Sequence, residues 1–338
     1  MKILPLLIAF CLWQSSANVI FRHFFDIGSD RSVDLYNPPS KHFGTKGTAG
    51  QILPRDDDET VCRPPSRPVP EAKRGINESP STVHNQTLWR RTMPVPDPGD
   101  EDAYIVKQTE SKDTYPIWWG VDNPAEAGRK RTQYDVNTAL FRKYGDVPIS
   151  LSTFDLHGCS CLAIVSRKGV YMSHYWESIA YSPDKKQMKA EGTNQPDLFE
   201  KFVLSGLRDG IKGAKITEQA SLRDNAQLFD DDHTYAYLIH PAPKAGNRNG
   251  YQVEAQKIRT VVEDLVPKIK NSGRFILHPY AVQSKKSIRM KTSAGRALFL
   301  YDPREADPPQ RGYTTAKIML WSETRVIHQD QWDYSRRG

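Results

Sequence analysis

The stretch Ser152–Ser178, STFDLHGCSCLAIVSRKGVYMSHYWES, holds the residue types best suited to chemistry. Cys159 follows a glycine, Gly158, just ahead of an apolar run, and His174 comes 15 residues later. Leu162, Ala163, Ile164 and Val165 read as a buried strand, Arg167-Lys168-Gly169 as a tight turn, and Val170 to Trp176 as the returning strand of a hairpin. A hairpin turning about Lys168 brings positions some 7 residues to either side into register on strands about 5 Å apart. Cys159 and His174 are therefore expected at the same open end. A thiol is a weak nucleophile until it ionises, and a nearby imidazole can hold it as thiolate and later give a proton to the leaving group. Gly158 lets the backbone bend there and lets amide N–H groups approach a developing oxyanion.

These residues resemble a known family. Leu156-His157-Gly158-Cys159 is similar to the Leu-Ser-Gly-Cys signature of the protein glutamine deamidases that include cytotoxic necrotizing factor, Burkholderia lethal factor and the chemotaxis-receptor deamidase. The downstream His of that family matches His174. The Thr that stands six residues before the Cys in the last two of these proteins matches Thr153. The likeness covers about 25 of 338 residues; within it His157 replaces the Ser, and a second cysteine, Cys161, follows closely. The resemblance implies a β-sandwich-like sheet with flanking helices, a thiolate at Cys159, acid and base work by His174, and an oxygen from Thr153 that orients the imidazole or binds the amide. It further implies attack on the side-chain amide of a Gln in a protein substrate, release of ammonia, and hydrolysis of the resulting thioester to Glu. No cofactor and no metal is expected for this chemistry.

The same residues support other readings. Cys159 and Cys161 can be small buried hydrophobes at the start of a strand. His157, Cys159, Cys161 and His174 together offer two nitrogens and two sulfurs, a possible zinc set, although ligands at every second strand position are crowded. Pairing of Cys62 with Cys161 leaves Cys159 free, whereas pairing with Cys159 makes the site latent or purely structural. His233, His240 and His278 flank β-like runs and read as loop residues. Trp118, Trp119, Tyr175, Trp176, Trp321 and Trp332 are assigned to core packing ahead of a substrate groove. Asp230, Asp231 and Asp232 read as a solvated loop. The competing functions are a non-enzymatic secreted binding protein with structural cysteines, and a cysteine protease or transglutaminase using the same pair.

The elements that must position these residues lie in the body from about Lys112 onward. A helix is expected over Ala125 to Tyr144, ended by Gly145 and Pro148, then strands from Ile149 to Trp176. Helical spacing recurs over Pro196 to Leu207, through Leu198, Phe199, Phe202, Val203 and Leu207, and over Gln252 to Leu265, through Ile258, Val261, Val262 and Leu265. Short β-like runs follow at Thr234 to Ile239, Arg274 to Leu277, Ala297 to Tyr301, Thr315 to Trp321 and Arg325 to His328. This mixture predicts an α+β domain with a mainly antiparallel sheet.

Ahead of the body, residues 1–17, MKILPLLIAFCLWQSSA, have the basic start, apolar centre and small-residue end of a secretory signal peptide, which places the protein outside the cell. Residues 18–111 read as a disordered Pro-rich extension or pro-region, and 12 of the 24 prolines fall in the first 100 positions. It carries the sequons at Asn77 and Asn85 and the dibasic pairs Lys73-Arg74 and Arg90-Arg91, where glycosylation and cleavage are expected. Charge is uneven: 12 Lys plus Arg against 14 Asp plus Glu in residues 18–111, and 34 against 26 in residues 112–338. A basic body favours encounters with acidic partners without defining a site. No run of basic and aromatic residues marks a nucleic-acid groove, and no later stretch has the roughly 20 apolar residues of a membrane span.

Overall fold

The computed structural model describes residue 62 and residues 93–117, 137–183, 185–211, 219–243, 250–305 and 313–335. The signal-peptide segment, both sequons, both dibasic pairs and Trp118 and Trp119 lie outside the described residues. In chain order the elements are α1 (Glu101–Thr109), β1 (Tyr115–Pro116), β2 (Thr138–Lys143), β3 (Ile149–Thr153), β4 (Cys161–Val165) and β5 (Gly169–His174), then a π-helical turn at Glu177–Tyr181. The short helices α2 (Lys185–Glu191), α3 (Gln195–Phe199), α4 (Gly206–Asp209) and α5 (Leu222–Asn225) follow, with a second π-helical turn, Glu200–Ser205, joining α3 to α4. The chain closes with β6 (Tyr235–Pro241), α6 (Gln252–Leu265), β7 (Phe275–Tyr280), α7 (Lys286–Arg289), β8 (Ala297–Asp302), β9 (Tyr313–Ser322) and β10 (Arg325–Ser335).

The strands form two five-stranded sheets, ordered β1-β3-β8-β9-β10 and β2-β5-β4-β6-β7. All neighbours are antiparallel except β1 with β3 and β6 with β7. This is the α+β architecture with mainly antiparallel sheets that the sequence pattern predicts, and the two sheets sharing one core fit the sandwich-like arrangement that the resemblance implies. One continuous core draws on both sheets: Leu151, Phe299, Tyr301, Ile318 and Leu320 from the first, and Leu162, Ile164 and Tyr171 from the second. Alternation along β8 and β9 sends Leu298, Leu300, Met319 and Trp321 to the opposite face, where they pack with Met93 and Ile105 of the α1 region. Residues 93–111, which composition assigns to the extension, thus supply the cover for one face of a sheet.

The expected hairpin is present: Ala163, Ile164 and Val165 pair with Met172, Tyr171 and Val170. Every side chain of β4, CLAIV, is buried, as a continuous apolar run in a central strand should be. The helix expected over Ala125 to Tyr144 is corrected in its second half, because Thr138–Lys143 is strand β2, paired along its length with β5. Tyr134, Thr138 and Phe141 have helical spacing, but pairing against an existing strand edge overrides so weak a local preference. Residues 118–136 lie outside the described residues.

Candidate active site

The hairpin's open end, the end of β7 and the turn that begins at Glu177 meet at Cys159. An isolated bridge pairs Ser160 with Tyr175, which extends the β4–β5 register to the residues beside Cys159 and His174. The loop before Cys159 is pinned at several points. Leu156 N–H donates to Gly295 O at 3.0 Å. Asp155, at φ 63°, accepts from Arg289 Nε at 2.6 Å. His157 Nδ1 donates to Asp155 O at 2.7 Å. Tyr280, at the end of β7, accepts from Gly158 N–H and donates to Cys159 O, both at 2.8 Å.

The structure brings together the three residues singled out in the sequence. Thr153, the last residue of β3, places Oγ1 2.6 Å from His174 Nδ1, and both side chains are fully buried. The imidazole lies against the Trp176 ring, with centroids 4.0 Å apart. Trp176 is itself fixed by its backbone N–H, which donates to Asn137 Oδ1 at 2.8 Å. Nε2 of His174 is buried and has no hydrogen-bond partner. The Cys159 sulfur, the Cys62 sulfur and a ring nitrogen of His174 all lie within 4.8 Å of one another. Burial, with the nearby His157 as a second cause, pushes the His174 pKa down to about 3, so the ring is neutral at ordinary pH.

Cys159 is joined to Cys62 by a disulfide, with Cα atoms 5.7 Å apart. Of the pairings open from the sequence, this is the one that caps the candidate nucleophile. Cys161 is the free thiol among the described residues; burial raises its pKa far above the usual thiol range, which leaves it an inert core residue. The candidate zinc set of His157, Cys159, Cys161 and His174 does not assemble; among the described residues the grouping within ligand reach is Cys62, Cys159 and His174. Tyr175, Trp176 and Trp321 are buried in the interior, in keeping with core packing.

Glu177 has no sequence signature, yet it is central to the site. It opens the π-helical turn and is 1% exposed. Its N–H donates to the Cys159 sulfur at 3.4 Å. Its Oε2 accepts from Cys62 N–H at 2.9 Å, and its Oε1 accepts from Tyr251 Oη at 2.5 Å. The next residue, Ser178, donates its N–H to Cys62 O at 3.1 Å. Gly158 is required by this carboxylate, since a Cβ at that position would fall 1.9 Å from Glu177 Oε2. A glycine immediately before Cys159 was the one sequence hint that something approaches the backbone there.

No protein-family model matches the chain, and no curated protein matches it. Among solved structures the chain has a weak, partial likeness to the C-terminal domain of CNFy from Yersinia pseudotuberculosis, at a TM-score of 0.23 and 11% sequence identity, covering 59% of this chain and 59% of that one.

Proposed function

We propose that the protein is a secreted, toxin- or effector-like cysteine hydrolase, a protein glutamine deamidase that works through Cys159, His174 and Thr153 and is latent while Cys159 is bound to Cys62. The observation that carries this reading is the Thr153–His174 hydrogen bond of 2.6 Å beside a cysteine sulfur within 4.8 Å of the same imidazole. Exchange with an external dithiol, which is itself oxidised to a disulfide, releases Cys62 and Cys159 as thiols. With Nδ1–H donated to Thr153 Oγ1, the lone pair of His174 lies on Nε2, the nitrogen that takes the thiol proton. The Glu177 N–H supports the thiolate that results. The thiolate adds to the side-chain amide carbon; the C–N bond breaks as His174 returns its proton, and ammonia leaves. Water, deprotonated by His174, then cleaves the thioester and regenerates the thiolate with a Glu side chain as product. A disulfide at this position suits an oxidising compartment, in line with the signal peptide expected at residues 1–17.

A specific observation favours a second reading. A fully buried Cys62–Cys159 bridge is also what a structural staple in a secreted binding protein provides. Alkylation separates the two. Under mild reduction the deamidase requires Cys159 to react with iodoacetamide well below the unperturbed thiol pKa of about 8.5, and to lose that reactivity in His174→Ala. The reduced protein should then raise the mass of a Gln-rich acceptor such as dimethylcasein by about one mass unit per converted Gln, without cutting it. A Cys159 that stays bonded, or that reacts alike with and without His174, removes the enzyme and leaves the binding protein.

A further inference from the structure

We infer that the place held by Cys62 is the seat for one residue of an extended polypeptide, recognised through its main chain by Glu177 and Ser178. Cys62 is held at three points. Its N–H donates to Glu177 Oε2 at 2.9 Å, its carbonyl accepts from Ser178 N–H at 3.1 Å, and its side chain is bonded to Cys159. Two of these points are main-chain groups that every residue except proline carries, and the third joins a side chain to the candidate nucleophile. The chain therefore occupies its own site much as a substrate would, with its γ-sulfur bonded to Cys159; the amide carbon of a Gln held at the same two main-chain points lies one bond further out along its side chain.

The arrangement around the clamp is built for this. Glu177 is buried and keeps its second oxygen on Tyr251 Oη, so Oε2 is fixed at the face that meets the incoming N–H. Gly158 leaves the space in which that oxygen lies. Adjacent residues then divide the work: Glu177 accepts, Ser178 donates, and the Glu177 N–H points at the Cys159 sulfur. A residue bound at both its N–H and its carbonyl belongs within a peptide. Free glutamine would bring the same donor and acceptor as a charged ammonium and a charged carboxylate, and burying the carboxylate against the Ser178 N–H costs hydration that an uncharged peptide residue does not lose. The site thus takes amide side chains presented by polypeptide, and the Cys62 disulfide blocks entry by occupying the same three points. This rests on the amidohydrolase reading for its chemistry, but its binding half stands or falls separately.

The test uses the Cys62→Ala protein, with Cys62→Ser as a second form should the first fold poorly. Cys159 is equilibrated with the disulfide of N-acetylcysteine N-methylamide. The Cys159 thiolate attacks one sulfur and expels one thiolate, and intact mass reports the mixed disulfide at known thiol concentration. The parallel reagent carries a methyl group on the acetamido nitrogen and so lacks the N–H that Glu177 accepts. A control reagent carries a C-terminal dimethylamide, which keeps both held groups. The expected result is a mixed disulfide about tenfold more favourable with the N–H than without it, no loss with the dimethylamide, and a preference reduced to about threefold in Glu177→Gln, whose neutral oxygen is the weaker acceptor. Equal equilibrium constants for the first two reagents, or an undiminished preference in a folded Glu177→Gln, overturn the clamp. Ammonia release from N-acetylglutamine N-methylamide is followed in the same Cys62→Ala sample. A tenfold preference without ammonia upholds the clamp and removes the deamidase, so the two failures are distinguishable.

Discussion

His174 has its two ring nitrogens in different surroundings: Nδ1 meets Thr153 Oγ1, while Nε2 is buried without a partner. The contact to Thr153 holds the ring in place, and the proposed chemistry needs it in the form in which Nδ1–H donates to Oγ1, which leaves the lone pair on Nε2. Thr153→Val keeps the shape of the side chain and removes the oxygen, leaving Nδ1 buried and unsatisfied at a cost of about 1–3 kcal/mol. In a Cys62→Ala background, Thr153→Val is expected to move the pH profile of Cys159 alkylation upward and to slow the reaction at neutral pH by about tenfold. Thr153→Ser, which retains the hydroxyl, should restore both. A Val variant that alkylates like its parent would show that Thr153 only packs. Cys161, two residues from Cys159, supplies the internal comparison, since its burial keeps it protonated and unreactive throughout.

At the scale of elements, the loop from Phe154 to Ser160 carries the nucleophile between β3 and β4, and its course is set by what crosses it. Gly295, at φ +68°, comes so close to this loop that a Cβ there would lie 2.3 Å from Leu156 O. A side chain is disfavoured at that φ even in open space, and here the obstacle is backbone. Gly295→Ala is expected to destabilise the fold by about 2–4 kcal/mol and to disturb Cys159, seen as a lower melting temperature together with faster reduction of the disulfide. A melting temperature within a degree of the parent would exclude that role. The hairpin that holds His174 was legible because a solid apolar run, a Lys-Gly turn and a second apolar run leave little choice of pairing. Helix α6 was legible because Ile258, Val261, Val262 and Leu265 lie on one face and no strand competes for them. Strand β2 was not, since its apolar residues also fit a helix and only its long-range pairing with β5 decides the matter. Helix α1 was missed because it is short and polar, and its order depends on the outer faces of β8 and β9. Glu177 and Tyr280 escaped for a related reason: a single Glu or Tyr has no periodicity, and their approach to Gly158 and Cys159 exists only after folding.

The whole molecule stores several histidines away from water, and this couples its stability to pH. Burial is the leading cause of a lowered pKa at His157, His174, His240, His278 and His328, with His174 at about 3 and His328 at about 4. In the unfolded chain each titrates near 6.5. Above that value both states are neutral at these residues and the shifts have no effect. Below it the unfolded chain binds protons that the folded protein refuses, so folding stability falls as the pH drops. His174 alone contributes a loss of up to about 1.4 kcal/mol per pH unit between 6.5 and its folded value, and the other four act in the same direction. The formal charge of +7 grows as these groups and the carboxylates take up protons, which adds self-repulsion to the same trend. Denaturant midpoints measured on the oxidised protein are therefore expected to stay nearly level from pH 7.5 to about 6.5 and to fall from there to pH 4.5, with a shallower fall in His174→Gln. A midpoint that stays level across that range would mean that these imidazoles reach water or a proton-accepting partner in solution. A fall that His174→Gln moderates would tie the molecule's acid sensitivity to the same buried ring on which the proposed chemistry depends.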